Sequence, residues 1–161
     1  MEPAIVFEVR GAPVAQGSTR AFIPKGWTRP IITSTAKGLK QWRQLVADVA
    51  QRHAPPAPWE GPVVLELAFR MPKPKSEPKR RRTWPDRKPD LDKLCRSIMD
   101  ALTHVFYNGD QQVVRLVADK DWGVPGVWIS VRRQTEGPPR LSEVGRNIAE
   151  KTRREIVEGR M

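Results

Sequence analysis

Three aspartates bracket one amphipathic segment of a strongly basic chain. Asp90 and Asp92 lie two residues apart in KPDLDKLCR, and Asp110 closes the NGD turn that follows. The chain has 161 residues, 29 Lys and Arg against 18 Asp and Glu, and a formal net charge of +11. Carboxylates gathered in such a setting have two readings. Acids in a first helical turn are favoured by capping and the helix dipole, each contributing about 0.3–2 kcal/mol. That accounts for Asp90 and Asp92, and leaves Asp110 as a turn residue after Gly109. If instead the three converge, their mutual repulsion demands a cation, and hard oxygen donors select Mg²⁺, with Mn²⁺ as a substitute. Such a cation beside a phosphodiester polarises a phosphoryl oxygen and lowers the pKa of a bound water.

Basic side chains surround these acids. Arg96 falls four residues after Asp92 on the same helical face, fit for a surface salt bridge or for a phosphate. Lys120, in the strand after Asp110, carries the same two readings. From Lys73 to Lys88 there are eight Lys and Arg, among them Lys79, Arg80, Arg81, Arg82, Arg87 and Lys88, against Glu77 and Asp86. Prolines 72, 74, 78 and 85 forbid a regular helix there, so the stretch is expected to be a mobile arm in extended or polyproline II form. Its alternatives are a solvated loop and a clamp for phosphates. Arg20 contributes to a second basic stretch, GAPVAQGSTRAFIPKGWTRPIITS, read as an exposed loop or irregular hairpin. An excess of cations on this scale favours a polyanionic partner, because each phosphate contact releases counterions.

The elements that must position these residues follow from periodicity. AIVFEVRG and VVLELAFRM alternate as half-buried strands. A helix is expected from about Lys37 to His53, capped by Thr33, Ser34 or Thr35 and ended by APPAPWEGP. The central helix opens at Pro89 or Asp90 and buries Leu91, Leu94, Cys95, Ile98, Leu102, Val105 and Phe106. At about 16 residues it travels roughly 24 Å. Asp110 therefore meets Asp90 and Asp92 only if the next strand returns along the helix start, or if a partner chain supplies it. QQVVRLVADKDW is expected as a strand and GVWISVRRQ as its hairpin partner across GVPG. The order implies one α+β domain over residues 1–134, a small mixed sheet packed against helices. A basic tail, 135–161, follows, helical from about Leu141 to Glu158.

Other classes are excluded. No apolar run spans a membrane, and the N-terminus lacks the basic-then-apolar pattern of a secretory signal. The single cysteine, Cys95, is a small buried hydrophobe on the helix stripe, and rules out an internal disulfide or a multi-cysteine zinc site. The cytoplasm is the expected compartment. His53 and His104 suggest no triad, and no GxSxG, Walker or HExxH pattern occurs.

The stretch KPDLDKLCRSIMDALTHVFYNGDQQVVRLVADK resembles the RusA-type Holliday junction resolvases (crossover junction endodeoxyribonucleases) of bacteria and their phages. The shared features are a PDLDNL-type helix start, a DAL, an aspartate-rich turn, a QVV-like strand and a later lysine. With the basic N-terminal loop and the Pro/Lys-rich arm, the likeness covers roughly Val6 to Arg133. It implies a dimeric, Mg²⁺-dependent endonuclease of recombination and repair that cuts Holliday junctions, with forks and flaps also open, in the cytoplasm of a bacterium or phage host. It carries metal binding onto Asp90, Asp92 and Asp110, and a catalytic basic role onto Arg96. Three positions depart from the family pattern: Lys93 replaces an asparagine, Arg96 a lysine, and Gly109–Asp110 a pair of aspartates. Lys93 and Lys120 thereby become alternative catalytic cations, and Lys93 also joins the DNA-binding set. A non-catalytic nucleic-acid-binding module and an RNA-cleaving metal nuclease are the rival functions.

Overall fold

The structure is a computed structural model that describes residues 3–17, 19–29, 31–34 and 36–137. In chain order the elements are β1 (Ile5–Arg10), β2 (Thr19–Phe22), β3 (Ile31–Ser34), α1 (Leu39–Gln51), β4 (Val63–Met71), α2 (Leu91–Leu102), β5 (Val113–Trp122) and β6 (Gly126–Arg133). The fold is α+β, as expected. A four-stranded mixed sheet has the order β1-β6-β4-β5, and β2 and β3 form a separate hairpin within the N-terminal basic loop. β4 is buried along most of its length because it lies inside the sheet, parallel to β5 and antiparallel to β6. Parallel neighbours cannot be joined by a tight turn. The chain leaving β4 therefore returns through the arm and α2, which makes α2 the device that sets β5.

The core lies between this sheet and the paired helices. Leu65, Leu67 and Phe69 of β4 and Ile129 of β6 meet Val46 of α1 and Leu94, Ile98 and Leu102 of α2, all buried. Phe106 stacks on Phe7, with ring centroids 5.8 Å apart. Cys95 is buried in this stripe, and its thiol is pushed up to about 11, chiefly by desolvation.

Four expectations need correction. β6 is not the hairpin partner of β5, because β4 lies between them. The turn at residues 123–125 crosses the end of β4 instead, with Gly123 N–H donating to Met71 O at 3.0 Å and Gly11 N–H to Pro125 O at 3.0 Å. α1 starts later than expected, after Gly38, whose φ of 82° makes a left-handed turn, and no side chain caps it. Thr33 and Ser34 belong to β3, and Thr35 lies outside the described residues. α1 also stops at Gln51, so His53 falls beyond it and stacks on Phe7 at 5.0 Å. α2 holds 12 residues rather than about 16 and ends where Thr103 turns extended. Val105 and Phe106 thus belong to the following turn, where His104 takes a φ of 64°. Residues 138–161, which include the expected tail helix, lie outside the described residues.

Candidate active site

The start of α2 presents the first two acids. Asp90 is the N-cap by backbone conformation (φ −70°, ψ 139°), yet its side chain makes no capping hydrogen bond. Its carboxylate accepts instead from Lys93 Nζ at 2.9 Å. That hydrogen bond, and then the Lys93 charge, hold Asp90 below the ordinary carboxylate range and raise Lys93. Asp92 is exposed in the first turn, and among the described residues it has no ion-pair partner. Arg96 is also exposed and makes no ion pair among the described residues, so the salt bridge that its spacing from Asp92 permits is not formed. The i,i+4 pairing is therefore not made, and Asp92 keeps only the favourable place that an acid has in a first helical turn.

Two contacts fix the chain around this turn. Lys120 Nζ, from β5, donates to the carbonyls of Arg87 and Pro89, both at 2.8 Å. Lys120 thus holds the segment that delivers Asp90. From the other side, Gln16 N–H donates to Lys93 O at 3.0 Å and seats the N-terminal loop against α2. Among the described residues, the buried Gln16 Oε1 atom has no hydrogen-bond partner.

Asp110 is held by a different device. Gln112 accepts at Oε1 from the Asn108 and Gly109 backbone N–H groups, at 2.7 and 3.2 Å. Its Nε2 donates to the carbonyls of Trp59 and Gly61, both at 2.8 Å. Asn108 Nδ2 adds a bond to Glu60 at 2.9 Å. Beneath them Tyr107 is fully buried, its hydroxyl donating to Met99 O at 2.9 Å. The turn is therefore stapled to the residues before β4, and it presents Asp110 exposed at the foot of β5.

These two groups stand at opposite ends of α2. Twelve helical steps at ~1.5 Å put roughly 18 Å between Asp90 and the helix end. β5 does run back towards the helix start, but Asp110 precedes it, so the strand carries Lys120 there and not the aspartate. Among the described residues no three His, Cys, Asp or Glu side chains gather into a metal cluster. Asp90 and Asp92 alone still suit a hard cation, since Mg²⁺ is commonly held by one or two carboxylates and keeps several waters. One chain thus brings two of the three acids together.

The basic arm is irregular, as expected, and side-chain contacts anchor part of it to the fold. Arg82 pairs with Asp121 at 2.8 Å. Thr83 donates to Glu77 at 2.9 Å and accepts from the Trp122 indole at 3.1 Å. Lys73 bonds the Pro78 carbonyl at 2.7 Å, and Arg87 approaches Glu77 at 3.9 Å. Asp121, held low first by the Trp122 backbone N–H and then by Arg82, stays charged to anchor the arm. Lys79, Arg80, Arg81 and Lys88 are exposed and have no ion-pair partner among the described residues. Arg20 has its backbone on β2, opposite Thr33, and its side chain is not among those described. The anchoring roles of Gln16, Gln112, Glu77 and Asp121 carry no pattern in the sequence, because each depends on a partner brought near by the fold.

The domain is α+β, with an acid pair at the start of α2 and, one turn on, Arg96, which has no ion pair among the described residues. The match to known proteins narrows this. The family model of endodeoxyribonuclease RusA matches residues 11–132. The chain is also 35% identical over 138 residues to the uncharacterized protein YqaN of Bacillus subtilis (strain 168), covering 80% of this chain and 95% of that protein. The chain belongs to the RusA endodeoxyribonuclease family, and is thereby a nuclease.

Proposed function

We propose that this protein is a homodimeric, divalent-metal-dependent endonuclease that hydrolyses phosphodiesters in branched DNA, Holliday junctions foremost. The observation that carries this reading is that Asp92 and Arg96, at the family motif, are exposed and form no ion pair among the described residues. They lie one helical turn apart beside a basic arm. Asp90 and Asp92 would hold Mg²⁺ or Mn²⁺, which when bound supplies a Lewis acid and a water of lowered pKa. Arg96 is placed to stabilise charge on the phosphate, and Lys93 to neutralise Asp90 and then follow the DNA backbone. Lys79, Arg80, Arg81 and Lys88 would grip the flanking phosphates. A DNA substrate of this kind implies action in the cytoplasm of a bacterium or of a phage host.

Asp110 joins this site most simply from a second copy. β5 is an edge strand of the sheet. Leu116 shares a row with buried Leu65 on the helix-covered face yet is 42% exposed, and Val114 is 61% exposed. Antiparallel pairing of two such edges about a twofold axis would cover both. It would also bring the foot of one β5, with its Asp110, beside the other β5 near Lys120 and the start of α2. Two composite sites would then face the two strands to be cut at a branch point.

The test is cleavage of four-way DNA, linear duplex DNA and RNA, with Mg²⁺ and with chelator. Metal-dependent cutting that favours four-way DNA is expected. Binding without cutting under every metal would replace this reading with a nucleic-acid-binding module, and preferential cutting of RNA would replace the substrate.

A further inference from the structure

The arm holds a tryptophan out of the fold. Trp84 is 66% exposed, although the residues around it are anchored. On one side Arg82 is tied to Asp121, and Thr83 to Glu77 and Trp122. On the other, Pro85 is buried and lines a cavity with Met71, Pro72, Lys120 and Trp122. A turn closes the segment, with Asp86 N–H donating to the Trp84 carbonyl at 2.9 Å. An indole carries the most apolar surface of any side chain, and a fold normally buries it. Here the backbone is fixed and the neighbouring proline is inside, while the indole projects into solvent. The Arg82 guanidinium lies over it, 5.8 Å from the ring centroid.

The surroundings specify a ligand. Arg80 and Arg81, without ion pairs, lie just before Trp84 in the chain, and Lys88 lies just after. Lys120 ties the Arg87 and Pro89 carbonyls together, so the arm is firmly joined to the start of α2 and to Asp90. A flat, exposed aromatic among unpaired cations is what a nucleobase stacks on while its phosphates are held. In an intact duplex both faces of each base are already covered by neighbours. Only an unstacked base can use such a platform.

We propose that Trp84 is a specificity-determining residue that stacks on an unpaired nucleobase next to the scissile phosphate. The chain would thereby prefer branch points, gaps and single-stranded ends to continuous duplex. This rests on the DNA-cleaving reading for its substrate, but its readout is binding and does not require cutting.

The experiment uses the full-length protein in chelator, with four-way DNA carrying 2-aminopurine at the branch point and, separately, within an arm. Wild type is expected to change the branch-point fluorescence and leave the internal probe unaltered. Trp84→Ala should abolish the branch-point change and weaken junction binding by about 5- to 150-fold, the range for losing one base–aromatic stack. Continuous duplex binding should move less than about twofold. Trp84→Phe should retain most of both signals, and circular dichroism of both variants confirms the fold. Trp84→Ala that binds and reports like wild type overturns the proposal, as does equal loss on junction and duplex. Cutting by wild type with an indifferent Trp84→Ala would sink the stacking proposal alone. A Trp84-dependent signal in a protein that never cuts would sink the nuclease reading alone.

Discussion

The position of Asp110 makes subunit mixing an informative perturbation. Asp92→Asn removes an acid at the start of α2, and Asp110→Asn removes the acid at the foot of β5. Each homodimer should lose at least about 100-fold in cleavage, since even an outer-shell partner of a metal ligand is worth 10- to 100-fold. The separation within one chain decides what happens on mixing. Roughly 18 Å of helix lies between the two ends of α2, against a ligand distance of about 2.1 Å for Mg²⁺. No rotamer of Asp110 closes that gap, so the proposed metal site needs Asp110 from the second subunit of the proposed homodimer. In a heterodimer, one site would combine Asp90 and Asp92 of the Asp110→Asn subunit with the Asp110 of its partner, and would be intact. The other site would carry both defects.

Random exchange of equal amounts makes half of the dimers mixed, each with one intact site of two. About a quarter of the wild-type number of sites should therefore return. The assay is single-turnover cleavage of four-way DNA after the variants are refolded together, with each alone as the control. Because every active dimer has one working site, the product should be a singly nicked junction rather than a pair of matched cuts. A mixture that stays at the level of its separate components would refute the shared site. The same result would remove the β5 edge as the interface inferred from Leu116 and Val114.

Other outcomes follow from how each cation is spent. Arg96→Ala should leave stability within about 0.5 kcal/mol of wild type, as for an exposed residue without partners, yet slow single-turnover cutting by about 100-fold or more if it meets the transition state; Arg96→Lys should recover much of that rate, and near-wild-type cutting by the alanine variant would move the role elsewhere. Lys120→Met removes two charge-assisted bonds to the Arg87 and Pro89 carbonyls, so urea unfolding should show a loss of about 1.5–3 kcal/mol, with unchanged stability arguing against a positioning role. Replacing Arg80 and Arg81 with Ala should flatten the dependence of log K on log salt by up to about 1.8, at ~0.9 per duplex phosphate contact, and an unchanged slope would make the arm a solvated loop. Cys95, its thiol raised to about 11 by burial, should resist alkylation at pH 8 until the protein is denatured; rapid labelling of the native form would contradict its place in the core.

The elements with strong periodicity were legible from residues alone. The α2 stripe of Leu94, Cys95, Ile98 and Leu102 and the alternation of β4 both appear where the pattern put them. Strand neighbours were less legible, because GVPG is a local signal and pairing is a global outcome. Once α2 returns the chain beside β4, β5 takes one edge of that strand and β6 the other. The arm shows the same limit. Its prolines excluded a helix, but its anchors lie far along the chain: Arg82 meets Asp121, 39 residues away. Composition therefore counted eight cations as equivalent, while the fold spends Arg82, Arg87 and Lys73 on holding the arm in place. The acids at the start of α2 were readable as a pair, whereas the distance from Asp110 depended on which end of β5 meets the helix start.

That division among the cations bears on how a protein of net charge +11 keeps carboxylates available. In such a field, acids are readily taken up by neighbouring bases, as Glu77, Asp90, Asp119 and Asp121 are here. Asp92 escapes because its nearest helical base, Arg96, does not fold onto it, and Lys93 is occupied by Asp90. Asp110 escapes because Gln112, a neutral amide, does the work of fastening its turn. A lysine in place of Gln112 could bond the same Trp59 and Gly61 carbonyls, but it could not accept the Asn108 and Gly109 N–H groups, and it would set a permanent charge beside Asp110. The uncharged staple holds the aspartate in place without neutralising it, which is the condition that the proposed shared metal site would require of it.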